Sequence, residues 1–170
     1  MSVIKHKAQR VAVLIDVQNM YHSAKNLYNA RVNFKEVLRT AIDNRPLIRS
    51  IAYVIRTESG EETPFLEALN KAGIETRLKD LQIFPGGVKK ADWDVGIAID
   101  AVKLGSHIDA LILMSGDGDF VPLISYLREV HGTQIEVVAF ARSASQKLKE
   151  AADDFTDIGT NGRKFLMPIK

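Results

Sequence analysis

Four aspartates stand where carboxylates could do chemistry together. Asp16 ends the apolar run RVAVLID, with Asn19 three residues on. Asp94 opens the run DVGIAIDA, just after a loop carrying Lys89 and Lys90. Asp117 and Asp119 follow the apolar LILM in the stretch SGDGDF, directly after Ser115 and Gly116. Carboxylates brought within a few ångströms repel, and at least one keeps its proton unless a cation lies among them. An all-oxygen donor set with open positions suits Mg²⁺ or Mn²⁺, ions that keep waters and bind substrate phosphates. Such an ion can activate water and neutralise charge on a phosphodiester during in-line attack. Each acid also has a purely structural alternative. Asp16 could cap the helix after it, Asp94 could favour the positive end of its own helix, and Asp117 and Asp119 could be turn residues beside glycine. Their shared position after strands favours the common site. Asp100 lies about 120° around the helix from Asp94, so it is read as a supporting or structural residue.

The sequence excludes several chemistries. It has no cysteine, which removes disulfides, thiolate metal sites and cysteine nucleophiles. With Asp117 as the first position of an EF-hand loop, Val121 and Arg128 would fall where oxygen ligands are required. There is no Walker lysine after a glycine loop, no G-x-G-x-x-G after the first strand and no G-x-S-x-G elbow. A net charge of +2 is too mild to declare a nucleic-acid binder by itself. No apolar run approaches the ~20 residues of a membrane span, and the opening MSVIKHKAQR lacks the apolar core of a signal peptide. The expected location is cytoplasmic, with no membrane partner.

Hydrophobic patterning supplies the elements that must position these acids. Strands are expected at Arg10–Asp16, Ser50–Ile55, Ile74–Leu81, Ile108–Met114 and Gln134–Phe140. Helices are expected at Asn19–Asn29, Phe34–Ile42, Glu61–Ala72, Trp93–Leu104, Phe120–Val130 and Ser143–Ala151, the last with Ser143 and Gln146 at capping-box spacing. The segment WDVGIAIDAVKL is apolar nearly all round, which predicts a buried helix. Phe84–Lys90 contains Pro-Gly-Gly and reads as a turn or hairpin. Continuously apolar strands alternating with helices give the α/β class, with a parallel sheet covered on both faces. Residues 1–9 form a leader, residues 10–158 one domain, and residues 159–170 a tail. In such sheets functional groups gather beyond the carboxyl ends of the strands.

Three blocks together, LIDVQNMY, DWDVGIAIDA and LMSGDGDFVPLI, resemble the NYN domains of the PIN-like nuclease superfamily, in the LabA-like branch. The likeness runs from about Val11 to Phe155. It implies a three-layer α/β/α PIN-like (Rossmann-like) fold with a mainly parallel sheet, the expected strands lying in the order 3-2-1-4-5. It also implies a Mg²⁺- or Mn²⁺-dependent ribonuclease, with Asp16, Asp94, Asp117 and Asp119 as catalytic and metal-binding residues. Asn19 matches the motif asparagine and Ser115 the serine ahead of the paired acids. The family's lysine commonly stands three residues before the helix acid; here Ala91 occupies that place and Lys90 is one further back.

On the substrate side, Asn19 and Ser115 are expected to orient the scissile phosphate or a water, and Lys90, Arg56 and Arg142 to hold flanking phosphates of single-stranded or structured RNA. Lys89 is a further cation on the same loop. Solvated loop charges are the alternative for each of these cations. Tyr21 is read as packing its helix, with base stacking as the alternative, and Trp93 as anchoring its helix in the core. His22 is not needed as a general base where an ion activates the water. A non-cleaving RNA-binding or protein-interaction regulator and a small-phosphoester phosphatase are the rival functions. The sequence gives no support for a homodimer.

Overall fold

The computed structural model describes residues 3–169. Val11–Asp16 (β1) runs straight into Val17–Tyr28 (α1), and Ala30–Val32 (β2) leads to Phe34–Ile42 (α2). Leu47–Arg56 (β3), Thr63–Lys71 (α3) and Glu75–Asp80 (β4) follow. A short hairpin, Gln82–Ile83 (β5) and Lys89–Lys90 (β6), precedes Asp94–Gly105 (α4). Then come Ala110–Met114 (β7), a single 3₁₀ turn at Gly118–Phe120, Val121–His131 (α5) and Gln134–Ala139 (β8). The chain finishes with Gln146–Ala151 (α6), Asp154–Asp157 (β9), Gly162–Phe165 (α7) and Leu166–Pro168 (β10).

Six strands form one sheet in the order β4-β3-β1-β7-β8-β9, and every neighbouring pair is parallel. The five expected strands keep the expected order, and β9 adds an edge strand that the sequence analysis lacked. β1 and β7 are buried along their whole length, as central parallel strands covered on both faces must be. The direction in which strands are added reverses at β1: β3 and β4 are laid down on one side of it, and β7, β8 and β9 on the other. Right-handed crossovers therefore place α1–α3 on one face and α4–α6 on the opposite face, giving three layers. Side-chain contacts agree, since Phe34 of α2 meets Phe65 of α3, and Gly105 of α4 lies against Leu127 and His131 of α5. The tail packs on this body, with β10 pairing antiparallel to β2.

Two local expectations are corrected. α4 is not buried all round: Ile97, Ala101 and Leu104 face the core, while Val95 is 75% exposed and Ile99 50%. The apolar periodicity could not distinguish the two sides, because both sides are apolar. Ser145, not Ser143, caps α6 by accepting from the Leu148 amide, and Ser143 instead donates to Ser23 of α1. The helix starts later than expected because the preceding residues form a turn, in which the Ser143 and Ala144 amides donate to the Phe140 carbonyl. No helix among the described residues is long and apolar enough to cross a membrane.

Towards the amino ends of the strands, buried charge is paired. Arg45, with a fully buried side chain, holds both oxygens of Glu136 at 2.7 and 2.9 Å, and Lys5 adds a contact at 3.3 Å. Burial pushes the Glu136 carboxyl up, but Arg45 and Lys5 outweigh it and hold the group below the usual range. Arg45→Ala leaves the buried Glu136 with only Lys5 and Gln134 as partners, so it should cost about 3–5 kcal/mol in denaturant unfolding. The pair of changes Arg45→Met with Glu136→Leu should recover most of that loss. A single-variant loss below roughly 1 kcal/mol, the range of an exposed pair, would show that the pair is not acting as a buried one.

Candidate metal centre

The site lies at the switch point between β1 and β7, where an open α/β sheet leaves a crevice beyond its carboxyl edge. Asp16 is at once the last residue of β1 and the N-cap of α1, its Oδ1 accepting the Asn19 amide at 3.3 Å. Its Oδ2 accepts the Ser115 hydroxyl at 3.0 Å across the strand gap. Asn19 returns the link, its Oδ1 accepting the Gly116 amide at 2.9 Å. These two cross-bonds lock the start of α1 to the loop after β7. The loop itself is organised by Asp117, whose amide donates to Ser115 Oγ and whose Oδ1 accepts the Asp119 amide at 2.9 Å. The glycines of SGDGDF serve close approach, not left-handed turns. A Cβ on Gly116 would meet the Ala144 backbone at 3.1 Å, and one on Gly118 would meet Ser145 Oγ at 2.6 Å.

The opposite wall is the start of α4. Trp93 donates its indole N–H to the Val54 carbonyl at 3.1 Å and packs on Tyr53, partly buried against the core. Lys79 sits 4.4 Å over the Trp93 ring and donates to the Asp92 carbonyl at 2.7 Å. About two turns further along, Asp100 accepts the Tyr53 hydroxyl at 2.8 Å and lies 3.2 Å from Arg77 Nε. Asp100 thus fastens α4 to the sheet, in keeping with its expected structural role. Burial first, then the Asp100 hydrogen bond, pushes the Tyr53 hydroxyl far up, so it stays a donor.

From these two walls Asp94, Asp117 and Asp119 each present an oxygen, and the three oxygens lie within 4.8 Å of one another. That donor set could hold a divalent cation. Asp16 and Asp92 stand beside it and share its electrostatics. Asp16 is raised by burial, against which its bonds from Asn19 and Ser115 act, while the charges of Asp117 and Asp92 add to the rise. Asp94 is pushed up to about 6, by burial and then by Asp117, Asp16, Asp92 and Asp119. Among the described residues, no lysine or arginine forms an ion pair with any of these five acids.

The cations expected on the substrate side are more scattered. Arg56 ends β3 but binds Asp80 at 2.8 Å, an exposed pair between neighbouring strands. Lys90 and Lys89 are exposed on β6, a hairpin turned by Gly86 and Gly87 at positive φ. Arg142 follows β8 with its guanidinium 5.9 Å from the Tyr28 ring. Tyr21 is 41% exposed and does not pack its helix into the core. Sequence reasoning missed Asp92 and the polar side of α1. Gln18, His22 and Asn26 line a cleft of about 360 Å³ that opens from Asp16, Asp94 and Asp117. Their spacing of four residues was the available signal.

Comparison with known proteins agrees with this fold. The model for the NYN domain matches residues 10–159. The chain is 27% identical over 161 residues to the low amplitude and bright protein LabA of Synechococcus elongatus, covering 89% of this chain and 85% of that protein. It is also similar to the crystal structure of a protein of unknown function from Vibrio parahaemolyticus, with 30% identity and a TM-score of 0.86, covering 97% of this chain and all of the other. The match takes in β1, α4 and the loop after β7, which carry the acids, and the chain belongs to the NYN domain family.

Proposed function

We propose that this NYN domain is a ribonuclease that hydrolyses RNA phosphodiester bonds with Mg²⁺ or Mn²⁺ at Asp16, Asp94, Asp117 and Asp119. One observation carries the reading: acids from three separate segments converge, and among the described residues none of them is in an ion pair with a lysine or arginine. At the other end of the same sheet the fold balances Glu136 in full, so the imbalance is local to the crevice. Hard oxygen donors at this spacing fit a divalent cation better than a softer ion. When bound, the ion would activate water and offset charge on the scissile phosphate.

The chain's own residues supply the frame. Asp94, Asp117 and Asp119 hold the ion, and Asp16 contributes a buried carboxylate fixed by Ser115 and the Asn19 amide. The Asn19 and Ser115 side chains spend a hydrogen bond each on closing β1 against the loop after β7, so they act first as positioning residues. Lys89 and Lys90, exposed on the hairpin before α4, would hold flanking phosphates, whereas Arg56 is engaged by Asp80. Purified protein with Mn²⁺ should cleave labelled RNA. Asp16→Asn and Asp117→Asn should each lower the rate by at least the roughly 10–100-fold that even outer partners of metal ligands command. Cleavage unaffected by both changes would refute the proposal. Salt-sensitive RNA binding with no turnover in any divalent metal would favour the non-cleaving regulator, for which the mild net charge of +2 speaks.

The crowding also has a signature in stability. Asp94 has a folded value of about 6 against an ordinary 3.8, so the folded protein holds its proton more tightly than the unfolded chain does. Ionising Asp94 therefore erodes stability as pH rises from about 3.8 to about 6, and the penalty is complete above that window. Metal-free Asp94→Asn should melt higher than the parent protein near neutral pH, by roughly 3 °C or more, with no gain in acid below the window. Adding Mn²⁺ should raise the parent and leave the variant largely unchanged. A variant that melts no higher at neutral pH would show that Asp94 carries no shared repulsion.

A further inference from the structure

The cleft of about 360 Å³ beside the acids has two chemically different ends. Its carboxylates cluster at the mouth of the sheet. Away from them the α1 wall carries only neutral hydrogen-bonding groups: Gln18, His22 and Asn26, with Ser23 tied to Ser143 behind them. Residues four apart stack along one helix face, and the rise of α1 makes this row about 12 Å long. Gln18, His22 and Asn26 make no side-chain hydrogen bond among the described residues, although neighbouring Asn19 and Ser23 do. Leu27 adds an apolar surface, and no lysine or arginine lines the cleft.

A neutral wall of free donors and acceptors beginning at a phosphate-handling centre fits the neutral, edge-reading part of a nucleotide. Amide side chains pair in two directions with base edges, and an imidazole can stack or hydrogen-bond. A second phosphate is a poor occupant, since the cleft offers it no cation. We infer that the cleft along α1 is a base subsite: it takes the nucleobase attached to the phosphate at the acidic centre, and Gln18, His22 and Asn26 set which bases it accepts. This inference rests on reading that centre as a site for phosphodiester chemistry.

The test is calorimetric titration of the whole chain, in Mg²⁺, with the four nucleoside 5′-monophosphates and with ribose 5-phosphate. At least one monophosphate should bind about tenfold tighter than ribose 5-phosphate, the equivalent of one or two neutral hydrogen bonds. His22→Ala and Asn26→Ala should each weaken that monophosphate by roughly fivefold and leave ribose 5-phosphate unchanged. Both side chains are exposed on α1, so folding is not at stake, and circular dichroism would verify it. Monophosphates that bind no tighter than ribose 5-phosphate, or not at all, overturn the subsite. So do variants that weaken both probes equally. RNA cleavage is scored separately. Base-dependent binding without turnover would remove the ribonuclease and keep the subsite, whereas turnover without base-dependent binding would do the reverse.

Discussion

Uncompensated negative charge at the switch point of the sheet is the constraint around which the rest of the molecule is arranged. Asp16, Asp92, Asp94, Asp117 and Asp119 belong to β1, the start of α4 and the loop after β7, segments well separated in the chain. Their mutual repulsion opposes the approach of those segments. Something else must hold them together, and most of it is apolar. β1 and β7 are buried throughout and pair in register from Val11–Ala110 to Ile15–Met114. Burying ten such residues is worth far more than a few like-charge contacts in a cleft open to solvent screening.

Holding the segments close is not sufficient, because a loose loop would let the carboxylates swing apart. Three devices remove that freedom. β1 passes into α1 with no intervening loop, and Asp16 caps the helix it starts. Ser115 and Asn19 then cross-link the two strand ends. Glycine at positions 116 and 118 lets the Ala144–Ser145 backbone press against the acidic loop, and the Ser145 amide donates to the Gly116 carbonyl at 2.9 Å. On the other wall, Trp93, Lys79 and the Tyr53–Asp100–Arg77 cluster fix the first turns of α4. The electrostatic cost and the mechanical bracing occur at the same place, and neither would be needed without the other.

Much of this was legible in the sequence, for physical reasons that also explain what was not. Central parallel strands are apolar on both faces, so VAVLID, ALILM and QIEVVA announce themselves. The placement of acids at their ends followed from that, and their order from the family pattern. β9 was missed because an edge strand is only half-buried, and DFTD has no apolar run to reveal it. The exposed side of α4 was missed because period alone cannot distinguish an apolar face that packs from one that does not. Side-chain partnerships lay furthest out of reach. Nothing in the sequence says that Arg56 is taken by Asp80, or that Asn19 faces Gly116 and not a ligand. Long-range pairing is a property of the assembled sheet.

The four principal acids are not equivalent, and the hydrogen bonds show why. Asp16 is the more buried of the two shifted carboxylates, yet both of its oxygens accept bonds, from the Asn19 amide and the Ser115 hydroxyl. Those bonds favour its ionised form and work against burial. Asp94 is only partly buried and has no such bonds; burial and the charges of four neighbours all push it the same way. Below a pH of about 6, where the cluster without a cation keeps a proton, that proton therefore resides chiefly on Asp94. Arrival of a divalent ion must release it, which ties cation affinity to pH around the Asp94 value. Asp16 is built as the fixed charge of the site and Asp94 as its variable one. The sequence treats them alike, as an acid after a strand and an acid before a helix, and only the bonds around them assign the difference.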